Sequence, residues 1–285
     1  MDDLAYFNGK FMPINDVKIS PLDRGFLFAD GVYEVVPVYN RNPFFFDEHL
    51  DRLYRSLKKI RLDPCIKKEE IKSCIEKLII QTRYSHQIVY VQITRGVGYR
   101  NHAFPKNISP TIFIMSSELI RPTDQMVSNG IDAITTNDNR WKSCDIKSIS
   151  LLPNVLAREE AVALNCHEAI LVDNGMVTEG AASTIWIVKQ GRVFCPEACN
   201  NLLEGVRIKI IEKLCLDLEI FFKRKNIMVS ELMDADEILL TSATKEILPI
   251  TSVNGKKIGI KNLEGKPGNI FQKLRQGYTD LIFCS

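Results

Sequence analysis

The sequence is short of the features that mark several large classes of protein. Charge of one sign is missing: 37 basic residues stand against 35 acidic ones, a net of +2. Short mixed runs such as KRKN at 223–226 stand in place of the basic stripe that a nucleic-acid-binding surface presents. No apolar run approaches the roughly 18 residues a membrane-spanning helix needs. The opening MDDLAYFNGK is acidic where a secretory signal is basic, and no apolar stretch follows it. There is no internal repeat and no low-complexity tract. The eight cysteines (65, 74, 144, 166, 195, 199, 215, 284) are scattered, and Cys195 and Cys199 form a lone CxxxC. That pair has neither a second pair nor a nearby histidine to complete a tetrahedral zinc site. The expectations are therefore no nucleic-acid partner, no membrane, no metal, and reduced thiols in the cytoplasm.

What is present is an ordinary globular composition, 45% hydrophobic and 25% charged over 285 residues, enough for one large or two medium cores. Turn pairs between apolar runs recur in AYFNGKFM (5–12), AILVDNGMV (169–177), IVKQGRVF (187–194) and ITSVNGKKI (250–258). Such pairs supply the positive φ at both central residues of a type I′ hairpin. Between them, DEHLDRLYRSLKKI (47–60) places Leu50, Leu53, Leu57 and Ile60 on one helical face, with Asp47 as N-cap. EEIKSCIEKLII (69–80) and GVRIKIIEKLC (205–215) share that spacing, while VYVQITRG (89–96) and TIFIMSS (111–117) read as buried strands. Hairpins mixed with helices predict α+β domains. The polar, proline-containing stretch 116–126 suggests a smaller N-terminal domain over 1–119, a linker over 120–126 and a larger C-terminal domain over 127–285 carrying Lys147.

Lys147 stands in CDIKSISLLPNVLA (144–157) among apolar and small residues. A lone lysine is usually solvated, but an amine desolvated in such company is a nucleophile toward carbonyl carbon. In MVTEGAASTIWIV, Glu179 precedes a glycine and two alanines, small neighbours that admit a flat ligand close to the backbone. Taken alone, Glu179 reads as an exposed hairpin glutamate and Arg52 as a solvated helix arginine. In LLEGVRIKII, Gly205 opens a helix whose free N–H groups offer a phosphate site, which an arginine would complete. A carbonyl-capturing lysine, a carboxylate for a protonated ring nitrogen and a phosphate cradle are the three anchors of pyridoxal 5′-phosphate (PLP).

DRGFLFADGVYEVVPVYN (23–40), EHLDRLYRS (48–56), TRGVGYRNHAFP (94–105), WKSCDIKSISLL (141–152), EAILVDNGMVTEG (168–180) and TSATKEILP (241–249) together resemble the class IV, fold-type IV PLP-dependent aminotransferases. Within them they are most similar to the D-amino acid aminotransferases. The resemblance implies a two-domain α+β fold with the cofactor held at the domain interface. It implies Lys147 as the Schiff-base lysine, Glu179 as partner of the pyridine nitrogen, Arg52 as phosphate arginine and Leu203 as the residue packing on the ring. The backbone at Val206 and Arg207, with Ser242 and Ala243, completes the phosphate site. Tyr33, Arg100 and His102 correspond to the trap for the substrate carboxylate, with Val35 and Ala182 lining the substrate side. In that family the Arg100–His102 loop reaches the partner subunit's active site, which implies a homodimer acting on amino and 2-oxo acids. The chain departs from the family pattern at Ala181 and Ala182, in place of serines, and at Arg207 and Ala243, in place of threonines; at the helix start a charge replaces a hydroxyl. Two alternatives on the same fold are 4-amino-4-deoxychorismate lyase and, more distantly, a branched-chain aminotransferase. A third is a PLP-binding module without turnover.

Overall fold

The computed structural model describes residues 4–283, so Cys284 lies outside the described residues. The chain forms two compact units, Met1–Ile120 with Ile146–Ser150, and Arg121–Asp145 with Leu151–Ser285. Chain order alone puts Lys147 with the region 127–285; its segment instead packs with the first unit.

In the first unit a six-stranded sheet runs β2-β1-β6-β5-β3-β4 among the described residues. Its strands are β1 (Leu4–Phe7), β2 (Lys10–Pro13), β3 (Gly31–Tyr39), β4 (Asn42–Pro43), β5 (Gln87–Thr94) and β6 (Thr111–Glu118), and every pairing is antiparallel. A short helix α1 (Arg24–Phe28) precedes β3, and helices α2 (Phe46–Lys59) and α3 (Lys68–Gln81) lie between β4 and β5. The leucine stripe of α2 forms as its spacing predicts: Leu50, Leu53 and Leu57 are buried in one core with Val32 and Val36 of β3 and Ile71, Ile75 and Leu78 of α3. Burying each such side chain stabilises the unit by about 1.5–3 kcal/mol. The helix begins two residues earlier than its carboxylate suggests. Phe45, in the left-handed region, occupies the N-cap, and Asp47 sits in the first turn, where a negative charge still favours the helix dipole.

A second stripe on α2 is polar and equally buried. His49, Arg52 and Ser56 face inward beside the leucines. His49 and Arg52 meet the fully buried Glu34 of β3: the carboxylate lies 3.0 Å from His49 Nδ1 and accepts from Arg52 Nε at 2.9 Å and Nη2 at 2.7 Å. Burial pushes the Glu34 carboxyl up, but Arg52 and His49 outweigh it and hold it well below the usual range.

In the second unit a nine-stranded sheet follows the order β12-β11-β10-β13-β14-β7-β8-β9, with β15 also on β14, among the described residues. The strands are β7 (Ile131–Asn137), β8 (Glu168–Asp173), β9 (Met176–Gly180), β10 (Thr184–Lys189), β11 (Arg192–Cys195), β12 (Phe222–Arg224), β13 (Glu237–Ser242), β14 (Glu246–Val253) and β15 (Lys256–Lys257). Helices α4 (Asp124–Asn129), α5 (Leu152–Ala163), α6 (Val206–Asp217), α7 (Val229–Met233) and α8 (Asn269–Phe283) complete it. Its main core gathers Ile131, Ile170, Ile185, Ile238, Leu248 and Ile250 from neighbouring strands.

All four turn pairs adopt positive φ at both residues: Asn8-Gly9, Asn174-Gly175, Gln190-Gly191 and Asn254-Gly255. The stretch 116–126 holds the end of one element and the start of another, with the division between the units between Ile120 and Arg121. β6 continues to Glu118, and Thr123 caps α4 by accepting from Met126 N at 3.2 Å. Among the described residues no helix is long and apolar enough to cross a membrane.

Two outcomes follow. Because the folded pKa of Glu34 lies below its unfolded value, its ion pairs stabilise fully above the ordinary carboxylate range, and that contribution is lost as pH falls through the folded value. Urea titrations should show Glu34→Gln destabilised by about 3 kcal/mol near neutral pH, with the gap from the native chain closing at acid pH. At Gly96, φ is +104° and a Cβ would stand 2.0 Å from the Ser109 carbonyl oxygen. Gly96→Ala should therefore lower stability by about 2 kcal/mol, read as a reduced urea midpoint at unchanged slope.

Candidate active site

Strand alternation divides β3 into two faces. Val32, Glu34 and Val36 point into the core, and Tyr33 and Val35 occupy the half-buried opposite face. The segment 146–150 lies alongside this strand: Tyr33 N donates to the Lys147 carbonyl at 3.0 Å and Ile149 N to the Gly31 carbonyl at 3.1 Å. Gly31 permits the approach, since a Cβ there would meet the Ile93 carbonyl at 2.8 Å and Ile149 Cδ1 at 3.1 Å. On its other side Lys147 N donates to Ser56 Oγ at 3.1 Å, one turn beyond Arg52 on α2. Lys147 is thus fixed by its backbone from two directions. Its half-buried side chain places Nζ 4.1 Å from the centroid of the Tyr33 ring, where a cation meets the negative face of the aromatic. Tyr33 in turn stacks on Tyr90, 5.7 Å between centroids, and the Tyr90 hydroxyl donates to Gln92 Oε1 at 2.7 Å. Burial, aided by Tyr33, pushes the Tyr90 hydroxyl up to about 12, so it stays a neutral donor at physiological pH.

Arg52 is not the solvated arginine of a typical helix. It is 7% exposed, and the bidentate grip of Glu34 fixes the plane of its guanidinium, so the orientation of its donors is set in advance. Arg100 and His102 are exposed and sit on the loop after β5, gathered around one ring: the Arg100 guanidinium is 5.3 Å and the His102 ring 5.3 Å from the Phe28 centroid.

The second unit brings a different set together. Glu179 on β9 is buried and accepts from Leu203 N at 3.3 Å on each oxygen, and from the Arg140 guanidinium. Arg140 also donates to Asp138 through Nε at 2.8 Å and Nη2 at 2.7 Å, and to the Asn201 carbonyl at 3.1 Å. Thr178 Oγ1 donates to Asp138 at 2.7 Å. Burial works against charge on both Asp138 and Arg140. Their mutual bonds, aided by Thr178 and Glu179, nevertheless hold the acid below its ordinary value and push the base above its own. Glu179 is therefore one end of a hydrogen-bonded row, Asp138–Arg140–Glu179. Gly180 follows it in a tight bend, where a Cβ would meet Ser183 Oγ at 2.1 Å. Ala181 is buried and Ala182 exposed, and the Ala181 carbonyl accepts from Asn154 Nδ2 of α5 at 2.8 Å.

Gly205 is the N-cap of α6 and has no side chain to cover the N–H groups of the first turn. Val206 and Arg207 open the helix. The Arg207 side chain is buried, and its Nε donates to the Tyr278 hydroxyl of α8 at 3.3 Å. That nitrogen serves a contact between helices α6 and α8. Ser242, at the end of β13, accepts from Lys245 N at 3.0 Å in the turn that holds Ala243.

Four residues of these networks escaped sequence reasoning: Glu34, His49, Asp138 and Arg140. Glu34 left one legible sign, a carboxylate on the apolar face of a strand. Asp138 and Arg140 sit in TTNDNRW, where no periodicity singles them out.

The family described as amino-transferase class IV matches residues 31–253. A D-alanine aminotransferase from Staphylococcus haemolyticus is 37% identical over 98% of this chain and 97% of its own length. One from Bacillus licheniformis is 35% identical over 97% and 96%. Among solved structures, the branched-chain amino acid aminotransferase of Escherichia coli matches 99% of this chain and 95% of its own with a TM-score of 0.90 at 24% identity, a likeness of fold. With the family match spanning most of its length and these relatives nearly all of it, the chain belongs to the class IV aminotransferases.

Proposed function

We propose that this enzyme transfers amino groups from D-amino acids to 2-oxo acids with PLP as cofactor, D-alanine and 2-oxoglutarate being the type pair. The carrying observation is the placement of the Lys147 amine against the Tyr33 ring, which seats a proton-moving group beside a carboxylate-binding one. The full-length likeness to proteins named D-alanine aminotransferases supports it, and so does the chemistry of the donors present. An ordered guanidinium and an uncovered helix start suit a phosphate, a buried carboxylate paired with a guanidinium suits a protonated ring nitrogen, and a half-buried amine suits an aldehyde.

In this reading Lys147 anchors the cofactor, Glu179 keeps its ring nitrogen charged and Leu203 packs on its ring. Arg52, the N–H groups of Val206, Arg207 and Ala243, and the Ser242 hydroxyl hold its phosphate. When bound, PLP supplies an aldehyde that takes up the amino group and an electron-poor ring that accepts the Cα electron pair. The chain's own residues do the rest. The Arg140–Asp138 pair holds the Glu179 carboxylate in place against the Arg140 guanidinium. Tyr33, with Arg100 and His102 supplied by the second copy of the chain, holds the substrate carboxylate on one side, so that the Cα proton of the D-isomer faces Lys147 Nζ, which removes it as general base. Val35 and Ala182 bound the side-chain space. Each hydroxyl absent at Ala181, Ala182, Arg207 and Ala243 costs about 1 kcal/mol of cofactor affinity.

The same reading makes the enzyme a homodimer in which Arg100 and His102 serve the partner's site. Their exposure supports this, as does Tyr99, 88% exposed beside them, an apolar surface of the kind that interfaces cover. It also places the enzyme in the cytoplasm, supported by free thiols at all seven described cysteines.

Adding D-alanine to the PLP-loaded enzyme should shift its visible absorption band and yield pyruvate. Lys147→Ala should slow that half-reaction by at least about a thousandfold. Near-normal turnover in the variant would overturn the assignment of Lys147. Release of 4-aminobenzoate from aminodeoxychorismate, with no response to D-alanine, would replace the aminotransferase reading by the lyase.

A further inference from the structure

Arg100 and His102 are exposed loop residues, and a loop holds a recognition geometry to within about 0.5 Å only when other groups lock it. The lock lies in the same unit, at the start of α1. Arg24 is 3% exposed, and its guanidinium reaches three consecutive carbonyls of that loop: Nη1 donates to Asn101 and, at 3.4 Å, to Ala103, and Nη2 donates to His102 at 3.4 Å. Its Nε donates to Asp30 Oδ2 at 2.8 Å. Asp30 also accepts from Arg95 Nε at 2.8 Å and Nη2 at 3.0 Å, and Arg95 lies 3.6 Å over the ring of Phe104, at the far side of the same loop. The one carboxylate between two guanidiniums keeps them from repelling each other. Burial pushes Asp30 up, but its bonds to Arg95 and Arg24 hold it below its ordinary value, so that neutralising charge persists at working pH.

Phe28, the last residue of α1, supplies the second part. Arg24 stands 4.8 Å over its ring, and both Arg100 and His102 contact the same ring. Aromatic stacking of guanidinium and imidazole restricts rotamers that would otherwise be free in water. A lysine at position 24 would keep the charge but lose the planar fork that bonds several carbonyls at once.

We propose that Arg24 and Phe28 are positioning residues for substrate recognition: Arg24 fixes the backbone that carries Arg100 and His102, and Phe28 is the shared platform on which both side chains rest. This rests on the reading of Arg100 and His102 as the carboxylate trap.

The test uses the PLP-loaded enzyme with D-alanine, with propionate as a competing carboxylate followed by absorption, and with ethylamine, an amine without a carboxylate. Arg24→Lys should raise KM for D-alanine and Kd for propionate by about tenfold or more. kcat and the ethylamine rate should both stay within about threefold of the native enzyme. In an Arg100→Ala background the same change should add less than about twofold, because both substitutions act through one element. Equal losses with D-alanine and ethylamine, or effects that multiply in the double variant, would overturn the proposal and leave Arg24 a purely structural residue. An Arg100→Ala enzyme with unchanged KM for D-alanine would remove the carboxylate-trap reading, and this proposal with it, whereas a normal Arg24→Lys enzyme beside an impaired Arg100→Ala enzyme would overturn the proposal alone. Should Arg24→Lys fail to fold, Phe28→Leu, which leaves the ion cluster intact, carries the same cycle: a selective rise in KM and Kd supports the proposal, and unchanged values or equal losses with both amines overturn it.

Discussion

A carboxylate with no access to water organises the first unit. Glu34 sits on the core face of β3, and its burial is tolerable because Arg52 and His49 meet it with charge and hydrogen bonds. Arg52, Ser56 and the backbone of Lys147 follow one another along one edge of α2, so the register between α2 and β3 also sets the place of the lysine. The leucines of α2 supply most of the stability of that contact. They are greasy and interchangeable, and alone would allow the helix to settle a fraction of a turn away. The ionic pairing permits one setting.

The second unit uses the same device in another form. A buried row, Asp138–Arg140–Glu179, sets the Arg140 guanidinium between two carboxylates, and Asp138 is held, against its burial, below its ordinary value by its bonds to Arg140 and Thr178. In both units, then, the group of chemical interest is held by a neighbour of opposite charge, and that neighbour is itself held from behind.

How much of this was legible beforehand follows from the range of each signal. Elements written in local patterns were read closely: the leucine stripe of α2, the four turn pairs, the strands β5 and β6. These depend on residues a few positions apart. The N-cap stands two positions before Asp47 because Phe45 adopts a left-handed conformation that composition does not disclose. Within the stretch 116–126, residues 116–118 continue β6, which is paired on both sides by β1 and β5, so the polar Ser116 is buried where its type suggests a loop. Family likeness singled out Lys147, Glu179, Arg52, Tyr33, Arg100 and His102 as candidates. Their supports stayed hidden: Glu34 and Arg52 are 18 positions apart, Arg140 and Glu179 are 39, and Arg24 and Asn101 are 77. Pairings at such separations are made by the tertiary fold and leave no trace in a window of sequence.

The small segment around Lys147 has a further effect on how the chain matures. The first unit is not continuous: it is finished only when residues 146–150 return to lie beside β3. During synthesis its sheet must wait, with the flank of β3 open, until a stretch begun at Arg121 and belonging to the other unit has emerged. Late closure of this kind raises the sequence separation of the contacts that complete the fold and slows its final step. The strand-like segment that completes the first unit is also the one that carries Lys147 beside the Tyr33 ring.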